Sequence, residues 1–170
     1  MTETENKEEL IKAISPYFHI REEIWGKHLS GDNVRIDMVL MPKDNSKWRN
    51  KNKTAFGVEI KPDYDSFNEI TGVIVQSIDY RYSKFNGFHI PILMYPNIFR
   101  SKHFSANKTD WMLDRLIGKM NIGVIDKVDY KKRIPEYFEF RMSDIPIWCN
   151  RKGVHLSGQN RKFEFTFGRQ

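Results

Sequence analysis

The sequence predicts a mixed α/β domain, and three observations carry that prediction. Stretches with apolar residues at helical spacing alternate with short β-branched runs of strand length. One run, GFHIPILMYP, is almost continuously apolar, as in a central strand covered on both faces. The chain has 170 residues, 39% hydrophobic and 29% charged, which is ordinary globular usage at about one domain's length.

Each element follows from its local pattern. Leu10, Ile11 and Ile14 give an amphipathic helix over residues 7–14, stopped at Ser15-Pro16. FHIREEIW alternates Ile20, Glu22 and Ile24 against Arg21, Glu23 and Trp25, which predicts a strand. The turn Ser30-Gly31-Asp32-Asn33 then leads into VRIDMVLM as the second arm of a hairpin. Residues 42–54 form a polar loop, AFGVEIK is a strand stopped by Pro62, and Phe67, Ile70, Val73, Ile74 and Ile78 predict a helix over residues 66–82, with Gly72 tolerated. A second long helix covers residues 111–120 with Thr109 or Asp110 as N-cap, and NIGVIDKVDY is a strand. EYFEFRM and RKFEFTFGR alternate and predict a short C-terminal β appendage.

Composition excludes several classes. The single cysteine, Cys149, rules out an internal disulfide and a multi-cysteine zinc site and suits a reducing compartment. No apolar run nears the ~20 residues of a membrane span, and the acidic N-terminal MTETENKEEL is unlike a signal peptide, so a cytoplasmic protein with no membrane partner is expected. The histidines lack HxxxH or HExxH spacing, and no GxxxxGK[ST] loop exists, so no nucleotide cofactor is expected. The net charge of +6 suits attraction to phosphate polymers or anionic membranes, and the distribution of that charge decides more than its total.

The chemistry concentrates on neighbouring strands. Asp37 lies within VRIDMVL, and Glu59 and Lys61 lie within FGVEIK, where alternation puts both on one face. If the strands pair, Asp37 joins them. Two carboxylates about 4 Å apart repel by roughly 4 kcal/mol at an effective dielectric of about 20. A divalent cation turns that repulsion into attraction, and oxygen ligands suit Mg²⁺ or Mn²⁺. The structural alternative is a buried carboxylate–lysine pair that serves the fold.

Asp37, a variable loop, then Glu59-Ile60-Lys61 resembles the core of the PD-(D/E)XK nuclease superfamily, and Gln76-Ser77-Ile78-Asp79-Tyr80 resembles the QxxxY signature of its RecB-like branch. Ile36 stands where the name motif has proline. The resemblance covers roughly residues 20–130. It implies a restriction-endonuclease-like core within about residues 7–130; the C-terminal strands, about residues 131–170, are read from alternation alone and complete a single domain. It implies a metal-dependent deoxyribonuclease in which Asp37, Glu59 and the backbone carbonyl of Ile60 hold Mg²⁺ or Mn²⁺, with Glu23 as the upstream acid and Glu22 as its substitute. Lys61 would position the attacking water and offset transition-state charge. Gln76 and Tyr80, four residues apart on one helix face, would brace the site or touch DNA, or simply pack helix on sheet. Double-strand cutting in this superfamily commonly uses a dimer, so a homodimer is the implied assembly.

Basic segments are the second line of evidence for DNA. The loop between the two acid-bearing strands carries Lys43, Lys47, Arg49, Lys51 and Lys53 against one acid, Asp44, with Trp48 among them. Z phosphate contacts by such a loop would give a salt slope of about −0.9Z. Further cations cluster at Arg100, Lys102 and Lys108, and at Arg151, Lys152, Arg161 and Lys162. The alternative function is a DNA-binding or assembly module that keeps a nuclease-like fold and acts with a partner protein. A third is an α/β protein unrelated to nucleic acid whose ion pairs imitate the motif.

Overall fold

A computed structural model describes residues 1–46, 48, 54–103, 108–129, 136–143 and 145–151. Helix α1 (Glu3–Ile14) starts earlier than its apolar spacing predicts, because Thr2 and Glu5 form a reciprocal cap. The Glu5 amide donates to Thr2 Oγ1 at 3.2 Å, and the Thr2 amide donates to Glu5 Oε2 at 2.7 Å. Strands β1 (Phe18–His28) and β2 (Asn33–Pro42) form the expected hairpin, and β3 (Phe56–Ile60) pairs antiparallel with β2. Helix α2 (Phe67–Arg81) follows, capped by Ser66, whose side chain accepts the Glu69 amide at 3.3 Å.

The next elements include one the sequence pattern does not announce. Strand β4 (Ser83–Phe85) is three residues long and pairs antiparallel with β1. Strand β5 (Ile92–Tyr95) is fully buried and runs parallel to both neighbours, β3 and β6 (Ile122–Val128), as expected for the apolar run. A 3₁₀ turn (Ile98–Arg100) and α3 (Lys108–Lys119) lie between them. Because α3 begins at Lys108, Thr109 and Asp110 belong to its first turn and are not its cap.

The sheet has eight strands in the order β4-β1-β2-β3-β5-β6-β7-β8, where β7 is Tyr137–Met142 and β8 is Ile145–Cys149. The C-terminal strands are thus part of the central sheet and not an appendage, since β7 pairs with β6 along five residues. RKFEFTFGR lies outside the described residues.

Two apolar clusters sandwich the sheet. Leu10 and Ile14 of α1 pack with Met38, Leu40, Val58, Ile60 and Leu93 on one face. Ile70, Val73 and Ile74 of α2 and Ile117 of α3 pack with Val39, Ile92, Met94 and Val124 on the other. The sheet curls around α1 until its distant strands meet. Phe18 of β1 lies 5.3 Å from Phe140 and 4.8 Å from Trp148, ring centre to ring centre. Among the described residues no helix is long and apolar enough to cross a membrane.

Candidate functional site

The register lines up three acids. Glu22 pairs with Met38 and Ile24 with Ile36, so Glu23 stands opposite Asp37. Met38 pairs with Val58, so one step further Asp37 stands opposite Glu59. Glu23, Asp37 and Glu59 therefore form one row across β1, β2 and β3.

The ladder changes at that row. Glu23 has φ +51°, the left-handed region that costs a non-glycine residue about 1 kcal/mol. Ile20 packs against the α1-side cluster and Ile24 against the α2-side cluster, although strict alternation would put them on one face. On β2 the same switch separates Met38 from Ile36. Where the β2–β3 pairing ends, the Asp37 side chain takes over: the Ile60 amide donates to Asp37 Oδ2 at 2.7 Å.

Glu59 is the buried member, 1% exposed. Lys61 Nζ pairs with its Oε1 at 2.6 Å, which bears out the shared face of these two residues. Its Oε2 is buried and accepts no hydrogen bond of good geometry, although the Tyr80 hydroxyl lies near enough to pull on the carboxylate. Burial first, and the Asp37 charge second, push the Glu59 carboxyl up to about 7, against smaller downward pulls from Lys61 and Tyr80. The same face is tightly packed two residues earlier, where a Cβ on Gly57 would stand 2.5 Å from Ile36 Cδ1 and 2.8 Å from Ile92 Cδ1.

Helix α2 closes the site from one side. The Tyr80 hydroxyl donates to the Arg35 carbonyl at 2.7 Å, and Gln76 Nε2 donates to the Tyr80 hydroxyl at 2.7 Å. Burial, and then the Glu59 charge, raise the Tyr80 phenol above its ordinary range. Gln76 and Tyr80 thus act as a brace between α2 and β2. Tyr64 adds a wall beside Glu59; its hydroxyl donates to the Pro96 carbonyl at 3.2 Å.

The remaining predicted residues lie elsewhere. Glu23 turns its carboxylate outward, 61% exposed, to Arg35 Nη1 at 3.5 Å. Lys43 is six residues along β2 from Asp37, roughly 20 Å at strand rise. Its Nζ donates to the Ser15 carbonyl at 2.8 Å, a cation at the C-terminal end of α1. Lys43 also lines a cavity of about 140 Å³ with Tyr17, Trp48 and Trp148. The described base of the basic loop is therefore at the far end of the strand pair from Lys61; Lys47, Arg49, Lys51 and Lys53 lie outside the described residues. Arg100 is held by buried Asp126, with donations from Nε at 3.2 Å and Nη2 at 2.8 Å, in a network that includes Glu139 and Arg141. Cys149 is partly buried, and burial raises its thiol.

Two contributors from α1 escape the sequence pattern. Asn6 is 1% exposed, and its Nδ2 donates to the Lys61 carbonyl at 2.9 Å. Lys7 Nζ pairs with Glu22 Oε2 at 2.7 Å. The available signal is that Asn6 precedes Leu10 and Ile14 at four-residue intervals, a polar residue on the apolar stripe.

The donor set fits a hard divalent cation in part. Among the described residues no three His, Cys, Asp or Glu side chains converge to hold a metal. Asp37 and Glu59 each have one oxygen engaged within the protein, and the second oxygen of Glu59 is an orphan. Mg²⁺ commonly takes one or two carboxylates and keeps several waters, so two carboxylates are the number of protein ligands such an ion commonly uses. No family model, no curated protein and no solved structure matches the chain.

Proposed function

We propose that the chain is a Mg²⁺- or Mn²⁺-dependent deoxyribonuclease with a restriction-endonuclease-like core. The observation that carries this reading is the unpartnered Oε2 of buried Glu59, in one row with Asp37 and ion-paired to Lys61 at 2.6 Å. The large majority of buried polar atoms that serve only the fold are satisfied, because an unsatisfied one costs about 1–3 kcal/mol or more.

Asp37, Glu59 and the Ile60 carbonyl would hold the cation, which when bound supplies Lewis-acid polarisation of a phosphate oxygen and of a water. Lys61, 30% exposed beside a buried partner, is the group able to reach both solvent and substrate. Its ammonium orients the attacking water and offsets the negative charge of the pentavalent transition state. Asp37 accepts the Ile60 amide and so fixes the carbonyl of the same residue relative to both acids. Gln76 and Tyr80 are positioning residues, holding α2 against the Arg35 carbonyl beside Asp37. Exposed Glu23 would act through water.

The test is incubation of the purified chain with supercoiled plasmid and linear duplex in EDTA, Mg²⁺ or Mn²⁺, beside Asp37→Ala and Lys61→Ala. Cleavage that requires metal and disappears in both variants is the expected result. Salt-sensitive DNA binding without cutting would move the reading to a partner-dependent module, and neither cutting nor binding would remove nucleic acid from the account.

A further inference from the structure

Resting on the nuclease reading, we propose that Arg100 holds a backbone phosphate of the substrate strand, a few nucleotides from the bond cut beside Lys61. The sheet register places the two cations. Glu59, Met94, Val124 and Arg141 form one row across β3, β5, β6 and β7. One same-face step toward the carboxyl ends of the three parallel strands gives a second row, Lys61, Pro96, Asp126 and Glu139. Asp126 faces the α2 side, because Ile125 packs in the α1-side cluster and Lys127 pairs with Glu9 of α1. Glu59 faces the α2 side too, between Val58 and Ile60 of the α1-side cluster, and Lys61 is paired with it. Lys61 and Asp126 are therefore two strands apart on one face, roughly 10 Å at strand spacing. That is no more than about three nucleotides at a duplex rise of about 3.4 Å.

Arg100 is anchored on that second row. The Tyr64 hydroxyl donates to the Pro96 carbonyl and so ties the segment after β3 to the segment after β5. Buried Asn97 caps the 3₁₀ turn by accepting the Phe99 amide at 2.9 Å. Arg100 ends that turn, and its Nε and Nη2 both donate to Oδ2 of buried Asp126, at 3.2 and 2.8 Å. The Arg100 side chain is nonetheless 65% exposed. A buried acid thus fixes the orientation of an outward guanidinium, which lowers the ordering cost of gripping a phosphate. Charge favours an anion there as well. Arg141 Nη1 lies 3.8 Å from the same Oδ2, and burial raises the Glu139 carboxyl toward its neutral form. Open α/β sheets hold ligands outside the carboxyl ends of their strands, and both Lys61 and Arg100 stand there.

The test pairs duplex binding in Mg²⁺ over about 50–200 mM salt, in the non-cutting Lys61→Ala background, with cleavage kinetics of the full chain with Lys61 intact. Arg100→Met should lower the salt slope by about 0.9 and raise KM about tenfold or more with kcat nearly unchanged. Arg100→Met/Asp126→Asn removes the buried acid as well and keeps the net charge, and it should behave the same way. Arg100→Lys should retain most of the slope. Lys12→Met, which removes an exposed cation from α1 on the other face of the sheet, should change neither quantity. Folded Arg100 variants with wild-type slope and KM, even if their melting temperature falls, would reduce Arg100 to a partner of Asp126. That result would overturn the proposal and leave the nuclease reading intact. An equal loss in Lys12→Met would overturn it too, since any surface cation would then serve. A wild-type chain that neither binds nor cuts DNA would sink the nuclease reading and this proposal with it.

Discussion

Replacing Glu59 by glutamine should stabilise the protein above neutral pH and leave it almost unchanged in acid. Burial and the neighbouring Asp37 raise the Glu59 carboxyl from 4.5 to about 7. Below 4.5 the folded and unfolded chains both carry the proton. As pH rises, the unfolded chain ionises first while the folded chain keeps its proton, so this group's contribution to stability declines until pH passes about 7. The interval between the two values corresponds to about 3 kcal/mol, an order-of-magnitude figure. Glutamine has nearly the same shape and does not titrate, and Lys61, 30% exposed, can rehydrate when it loses its partner. Urea denaturation in EDTA at a series of pH values should therefore show Glu59→Gln about 1–3 kcal/mol more stable at pH 8, the gap closing below roughly pH 5. With Mg²⁺ at 100 times its dissociation constant the wild-type chain should regain about 2.7 kcal/mol and the variant much less. A variant that is less stable than wild type at pH 8, or equally more stable at every pH, would refute the buried, strained ionisation on which this rests.

Three further substitutions probe the supports. Tyr80→Phe removes the donor to the Arg35 carbonyl and the acceptor for Gln76, and should cost about 1–2 kcal/mol in denaturant unfolding. Asn6→Ala uncaps the buried Lys61 carbonyl and should cost about 1–3 kcal/mol, with the amide exchange of residues in β3 accelerated. Gly72 sits mid-helix in α2 with open space where a Cβ would stand, so Gly72→Ala should raise stability by about 0.5–1 kcal/mol without touching the site.

Much of the fold is legible in the sequence because its helices and long strands carry strong periodicity. The apolar run around Ile92–Tyr95 reads as a central strand, and it is one, parallel to both neighbours. Strand β4 is too short to carry a pattern and owes its pairing to β1, where Gly26 lets the Phe85 ring approach. The capping box at Thr2 and Glu5 was written in the residues, but apolar spacing alone starts the helix a turn late and so leaves Asn6 out. The pairing of Glu59 with Lys61 follows from period two, and the approach of Asp37 follows from the hairpin. What alternation cannot reveal is its own interruption. The positive φ at Glu23 turns β1 over, so Ile20 and Ile24 face opposite clusters, with Glu22 paired to Lys7 and Glu23 turned outward to Arg35. The place of Lys43 was legible from chain direction, because a loop that joins consecutive strands leaves the C-terminal end of the first and enters the N-terminal end of the second, whereas Lys61 follows the C-terminal end of β3. The antiparallel register puts its base at the end away from Lys61.

The most direct test of the central claim, that Asp37 and Glu59 jointly hold a divalent cation, is the electron paramagnetic resonance signal of Mn²⁺ mixed with the wild-type chain, Asp37→Asn and Glu59→Gln. Bound Mn²⁺ on the wild-type chain, lost or weakened at least tenfold in both variants, is the predicted result. Binding that persists unchanged in either folded variant would contradict it and would leave Glu59 as a buried ion-pair partner of Lys61 alone.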